Sequence, residues 1–388
     1  MSKKRNKTVT ILLGTLGGAA LGFGLGYTAI NWMPNFIAKN LSGSADIWWE
    51  LPLKIVFLLV GLWAALAAHE LGHLMTGLAQ GFTFHLYVAG FLGVRRNPLN
   101  DQIEWYFNRD ANLFGGVAAT LPTQKSPDLR RKLAAIVIAG PITSLLGAVL
   151  AGLPAVWGIA QLTPDSSALL RILFTFLLVF GVTSFLLFLV TTIPSRTGAF
   201  FTDRARFFRL IGGGKAAAVE QAMLELLAQS YTSQPFGQMD LAQIELIKSD
   251  QSGLMQSFAY SLAYYYHLDR GENEQALAAI YDMEPLIAEQ PLAFQVELLK
   301  DVAYAYAHLA KDPLKARSAW NKAGKLGQAA KDAHALLTKT ALCWIEGNEA
   351  EAKAYLQQGL AALPAKRSKY GDQFYFQQFK DLEQEMAE

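Results

Sequence analysis

Thiols and charge are both scarce in this chain of 388 residues. Its one cysteine, Cys343, excludes any disulfide within the chain. Charged residues make up 17% of it and leave a net charge of +2, too little to suit a nucleic-acid partner. The lysines and arginines flank apolar segments and do not line one patch. Apolar residues are what the chain has in excess, 52% in all and crowded into the first half, an asymmetry that predicts two unlike domains.

Residues 8–32, 51–80, 133–160 and 169–194 are each long enough to cross a hydrocarbon layer about 30 Å thick, which takes roughly 20 apolar residues. Four spanning helices are therefore expected. Lys3, Lys4, Arg5 and Lys7 precede the first, which is long for a signal-peptide core and lacks a small-x-small cleavage site, so it reads as an uncleaved anchor. Within it Gly14, Gly18, Gly22 and Gly26 form one smooth face, the kind that lets helices pack closely in lipid. Positive flanks stay cytoplasmic. The basic N-terminus, the segment holding Arg95, Arg96, Arg109 and Arg130 to Lys132, and the segment holding Arg196, Arg204, Arg206 and Arg209 then fall on one side. The connection 161–168 has no lysine or arginine and the loop 31–50 has only Lys39, which places both outside. The expected protein is a multi-pass protein of the cell membrane with a cytoplasmic N-terminus and C-terminal half.

The second apolar segment contains His69-Glu70-Leu71-Gly72-His73. Four residues apart on a helix, the two histidines project from one face and can take two tetrahedral positions on one zinc ion. Glu70 can then reach a water on that ion, whose pKa falls to about 7, and act as general base for peptide hydrolysis. Two packed histidines and a solvated glutamate would be an ordinary reading on an exposed helix. Inside a membrane a charged residue costs roughly 2.5–3.5 kcal/mol, and such residues usually mark a function. A catalytic zinc needs a third protein ligand. The other histidines are His85, just past the motif, and His267, His308 and His334, far along the chain. Asp203 follows the fourth span on the same expected side as His73. Spacing alone leaves it equally a helix N-cap or a partner of nearby arginines.

With these residues the sequence resembles the site-2 protease family of intramembrane zinc metallopeptidases. The resemblance covers roughly residues 50–212 and rests on His69 to His73, on Gly140-Pro141-Ile142-Thr143-Ser144, and on the stretch from Pro194 to Asp203. It implies a three-helix core, one zinc held by His69, His73 and Asp203, Glu70 as the base, and cleavage of membrane-anchored proteins in or near the bilayer. Three positions depart from the family. Ser144 and Thr191 stand where asparagine is frequent, and Arg204 stands where glycine follows the ligand aspartate. Ser144 and Thr191 could still donate to the substrate backbone or oxyanion, with shorter reach than an amide. Arg204 could pair with Asp203 in competition with zinc, or point into the cytoplasm.

Residues 82–94 and 102–107 alternate like strands, with a turn at Asn97-Pro98. They read as a membrane-associated hairpin that either shields the site or, as the family suggests, pairs an edge with an unfolded substrate strand. His85 could support the site from this strand, or simply be accommodated there. Past Gly212-Gly213-Gly214 the chain becomes rich in Ala, Glu, Gln and Leu with helical periodicity. An alanine follows five residues after each of three turn positions, Gly271 to Ala276, Lys311 to Ala316 and Gly347 to Ala352, and the spacing resembles tetratricopeptide repeats. Such stacked helix pairs commonly bind a protein partner.

The expected fold is thus mainly α. It comprises an anchor and outer loop (1–50), a membrane metallopeptidase core (51–212) and a cytoplasmic helical domain (213–388). A catalytically silent scaffold acting through the helical repeats is the alternative function, and a proton-relaying transporter is a third.

Overall fold

The computed structural model describes residues 48–388 apart from 98–101, 111–112, 123–125, 164, 194–195, 198–199, 231, 251–252, 291 and 365–368. The first expected span, with its glycine face, lies outside the described residues. Among those residues three helices are long and apolar enough to cross a membrane: α1 (Glu50–Ala79), α2 (Leu129–Gln161) and α3 (Ala168–Thr192). Helix α2 begins four residues before the expected 133 because Arg130, Arg131 and Lys132 are good helix formers, although they end the apolar run. Leu59, Leu150, Leu153, Trp157, Leu169 and Val190 are exposed, as side chains facing hydrocarbon would be.

The chain divides into two compact units. The first takes the described residues up to Ala65 together with Leu146–Phe185. Gly152 and Gly181 meet so closely there that a Cβ on Gly181 would lie 2.7 Å from the Gly152 Cα, the close backbone approach that small residues allow. Glu50 and Arg171 are both buried and form a bidentate pair, Nε to Oε1 and Nη2 to Oε2 at 2.7 Å each. Arg171 Nη1 also donates to the Ser166 carbonyl at 2.6 Å, and Lys54 reaches Glu50 at 2.5 Å. Removing one partner of such a pair strands a buried charge. Arg171→Leu is expected to destabilise the protein by about 3 kcal/mol, and adding Glu50→Gln should restore part of the loss. Thermal unfolding of the single and double variants in detergent measures both effects; equal stability of wild type and Arg171→Leu would show that the pair is dispensable.

The second unit takes Leu66–Leu145 and Leu186–Glu388. Its antiparallel sheet has the order β3-β2-β1-β4, from β1 (Thr83–Ala89), β2 (Leu92–Arg96), β3 (Ile103–Phe107) and β4 (Val117–Leu121). The expected single strand over 82–94 is in fact two, because Gly90, with φ of 59°, turns the chain back and pairs Ala89 with Leu92. The hairpin is therefore the middle of a four-stranded sheet. A two-residue pair, β5 (Arg196–Thr197) and β6 (Phe200–Phe201), leads into α4 (Asp203–Ile211), whose Leu210 packs with Leu133, Val137 and Leu224.

Beyond α4 the chain is helical: α5 (Gly214–Ser230), α6 (Leu241–Lys248), α7 (Gly253–Asp269), α8 (Asn273–Ile287), α9 (Leu292–His308), α10 (Pro313–Lys322), α11 (Gly324–Ala329), α12 (Ala333–Ile345), α13 (Glu349–Ala362) and α14 (Tyr370–Glu385). The pairs α7–α8, α9–α10 and α12–α13 each turn on one of the three positions read from the sequence. Gly271, Lys311 and Gly347 all have positive φ, of 71°, 51° and 79°. The alanine five residues later, Ala276, Ala316 or Ala352, is fully buried in every case, where a larger side chain would hold the two helices apart.

Candidate metal centre

Three side chains from separated stretches of the second unit meet at one point. His69 and His73 lie one turn apart on α1, and Asp203 opens α4. Asp203 Oδ2 lies 3.2 Å from His69 Nε2 and 3.5 Å from His73 Nε2. One potential ligand atom from each of the three lies within 4.8 Å of the others, and this is the group of metal-ligand type among the described residues. Ligands at about 2.0–2.2 Å around a tetrahedral zinc are separated by roughly 3.3–3.6 Å, so the carboxylate stands close to zinc-ligand spacing from both rings.

The outer nitrogens settle how the rings face. His73 Nδ1 lies 2.8 Å from the Ile136 carbonyl, which can only accept, so Nδ1 carries a hydrogen and Nε2 is the nitrogen that faces Asp203. His69 Nδ1 lies 2.8 Å from Ser144 Oγ, which is buried with it. Both partners come from α2, so this helix orients both rings. Burial pushes the Asp203 carboxyl up, but the two imidazoles facing it outweigh that effect and hold it at about 2. It is anionic at neutral pH, as a metal ligand must be. The donor set, geometry and ionisation all fit a zinc ion.

Close packing confines the rest of the site. A Cβ on Gly140 would lie 2.2 Å from His73 Nε2, and one on Gly72 would lie 2.3 Å from Thr143 Oγ1 and 2.9 Å from the Ala139 carbonyl. Gly72 therefore lets α1 approach α2, and Gly140 leaves room for the ring of His73. Glu70 is buried and hydrogen-bonded to the backbone of Ala118 in β4. Gly116, at φ of 95°, brings the loop before β4 so near that a Cβ would stand 2.5 Å from Glu70 Oε1. Tyr87 Oη donates to the Ala67 carbonyl at 2.8 Å, tying β1 to the turn of α1 just before His69.

The remaining sequence candidates fall around this centre. Ser144 bonds His69, and Thr191 Oγ1 donates to the Leu187 carbonyl one turn back at 2.9 Å. Arg204 donates to the Thr192 carbonyl at 3.1 Å and lies over the Phe208 ring, and no ion pair joins it to Asp203 among the described residues. Thr202 occupies the N-cap position of α4. His85, on β1, is outside the metal-ligand group, as are His267, His308 and His334. Gly116, Ala118, Tyr87 and Ile136 carry no mark of a site in the sequence, whereas Gly140 stands in the motif that carries the family resemblance.

Two imidazoles and a carboxylate converging beside a buried glutamate are a donor set that could hold a metal ion next to a carboxylate base. The sequence model of peptidase family M50 matches residues 57–332, most of the chain, and the chain belongs to that family, which is the family of the site-2 proteases. The match runs well past residue 212, where the resemblance read from motifs ended. Comparison with curated proteins and with solved structures found no match. The family is one of membrane metallopeptidases and is zinc-dependent in general.

Proposed function

We propose that this protein is a zinc endopeptidase that cuts membrane-anchored proteins at a site held by His69, His73 and Asp203, with Glu70 as general base. The observation that carries the reading is the convergence of the Asp203 carboxylate on both Nε2 atoms. Zinc, when bound, supplies a Lewis acid that polarises the scissile carbonyl and acidifies water. Glu70 takes the proton of the attacking water and delivers it to the leaving amine. Ser144 and the Ile136 carbonyl keep the two imidazoles aimed, and the glycines at 72, 116 and 140 keep the space small. Strand β4 is an edge of the sheet and its Ala118 touches Glu70, so a substrate strand added there would lie beside the base. Support of that strand or its oxyanion by Ser144 or Thr191 requires their present hydrogen bonds to open. Counting of positive flanks favours a cytoplasmic site and C-terminal half, with the tetratricopeptide-like array recruiting a partner protein.

Purified protein in detergent is expected to hold one zinc per chain and to cleave a membrane-anchored test substrate. 1,10-Phenanthroline should stop cleavage and stoichiometric zinc should restore it. Cleavage indifferent to the chelator would overturn the metal mechanism. A protein that carries zinc but cleaves no membrane-anchored substrate would favour the silent scaffold.

A further inference from the structure

The helical array contains a cavity of about 320 Å³ walled by α10 to α13, far along the chain from the metal ligands. Lys339 is its central cation. The ammonium donates to the Ala330 carbonyl at 2.8 Å and lies 5.9 Å from the Trp320 ring and 5.6 Å from the Tyr355 ring. No carboxylate pairs with it among the described residues. The other cation of the lining, Arg317, is already held in a two-pronged pair by Glu346. Burial lowers the pKa of Lys339; Asp332 opposes this, and Lys331 and Lys300 add to it, so an incoming anion would relieve an uncompensated charge.

The chemistry of the walls narrows the ligand. With Arg317 held by Glu346, Lys339 is the cation of the lining left to meet a ligand, and a single positive charge suits one carboxylate better than a doubly charged phosphate. Asn321 and Gln328 also line the cavity and offer amide donors and acceptors that a peptide backbone can use. The basic character extends beyond the cavity. Over the walls α10 to α13, residues 313–362, the chain has seven lysines and arginines against four acidic residues, and Lys325 and Lys331 are exposed. A lone small carboxylate would leave that field unused, whereas a run of acidic residues would meet it.

We propose that this cavity is a docking site for an acidic peptide segment, with one carboxylate seated on Lys339 between Trp320 and Tyr355 and the flanking acidic residues over Lys325 and Lys331. The proposal gives the recruiting role of the helical array its chemistry. It is tested by binding without cleavage, so its failure and that of the peptidase reading are separable.

The probe is a fluorescein-labelled decapeptide of alternating Glu and Gly, titrated with the full-length protein in detergent and followed by anisotropy, beside a Gln and Gly counterpart. The Glu peptide should bind at least tenfold tighter than the Gln peptide, and Lys339→Gln should weaken it at least tenfold. Lys325→Glu with Lys331→Glu changes only exposed side chains and should weaken it several-fold, which decides the matter if Lys339→Gln unfolds. Lys380→Gln, on α14, should leave binding unchanged. Equal affinity of wild type and a folded Lys339→Gln would overturn the proposal. So would displacement by free glutamate at concentrations equal to the peptide, which marks a small-carboxylate site, or tighter competing binding of a single-stranded oligonucleotide.

Discussion

Glu70→Gln is expected to retain its zinc and lose cleavage by a factor of about 10²–10⁴ or more. The substitution keeps the size of the side chain and its place against Ala118 and Gly116, but an amide cannot take a proton from water. Glu70 does not belong to the group of three that could hold the metal, so metal content should be unchanged. Its position follows from helix geometry. One residue past His69, it projects about 100° around α1 from the first candidate ligand, toward the loop before β4, whereas His73 stays within about 40° of His69. Zinc analysis and cleavage of a membrane-anchored substrate, measured on the same preparations, separate the two effects. A variant that cleaves within about threefold of wild type would remove Glu70 from the mechanism. A variant that loses zinc as well would mean that the carboxylate belongs among the ligands.

Apolar runs and the histidine spacing make α1, α2, α3 and two of the three candidate metal ligands legible, because both depend on residues close in sequence. The turn-and-alanine pattern worked for the same reason: Gly271, Lys311 and Gly347 each end one helix and set the entry of the next. What escaped depends on distant pairing. Strand β4, Val-Ala-Ala-Thr-Leu, has small residues and no alternation, and only its register against β1 makes it a strand. The 82–94 alternation ran through Gly90 without showing that the chain reverses there. The sequence offers Ser144 as possible support for substrate or oxyanion, but not the bond its hydroxyl makes to His69 across 75 residues of sequence. Spacing within one helix cannot reveal that α2 supplies an acceptor at Ile136, an empty position at Gly140 and a hydroxyl at Ser144 to the same pair of rings.

Asp203→Ala is expected to lower zinc affinity at least hundredfold and to abolish cleavage, while leaving the helical array folded. The scale follows from metal sites, where losing even an outer partner of a ligand weakens binding 10–100-fold, so loss of a ligand should do no less. His69 and His73 would remain aimed by Ser144 and Ile136, but two neutral imidazoles one turn apart leave half of the tetrahedron to water. Asp203→Glu should keep part of both properties, because the longer side chain carries the same charge but must be accommodated where Oδ2 now lies 3.2 and 3.5 Å from the two rings. The alternative role, at the start of α4, makes a different forecast. Asp203 lies one residue past the N-cap position, in the first turn of α4, so a pure helix-dipole role would cost stability of about 1 kcal/mol or less and no zinc. Zinc titration with a competing chelator, run beside thermal unfolding of wild type, Asp203→Ala and Asp203→Glu, distinguishes the two. Loss of stability with undiminished zinc affinity would remove Asp203 from the metal centre and leave the histidine pair in need of another partner.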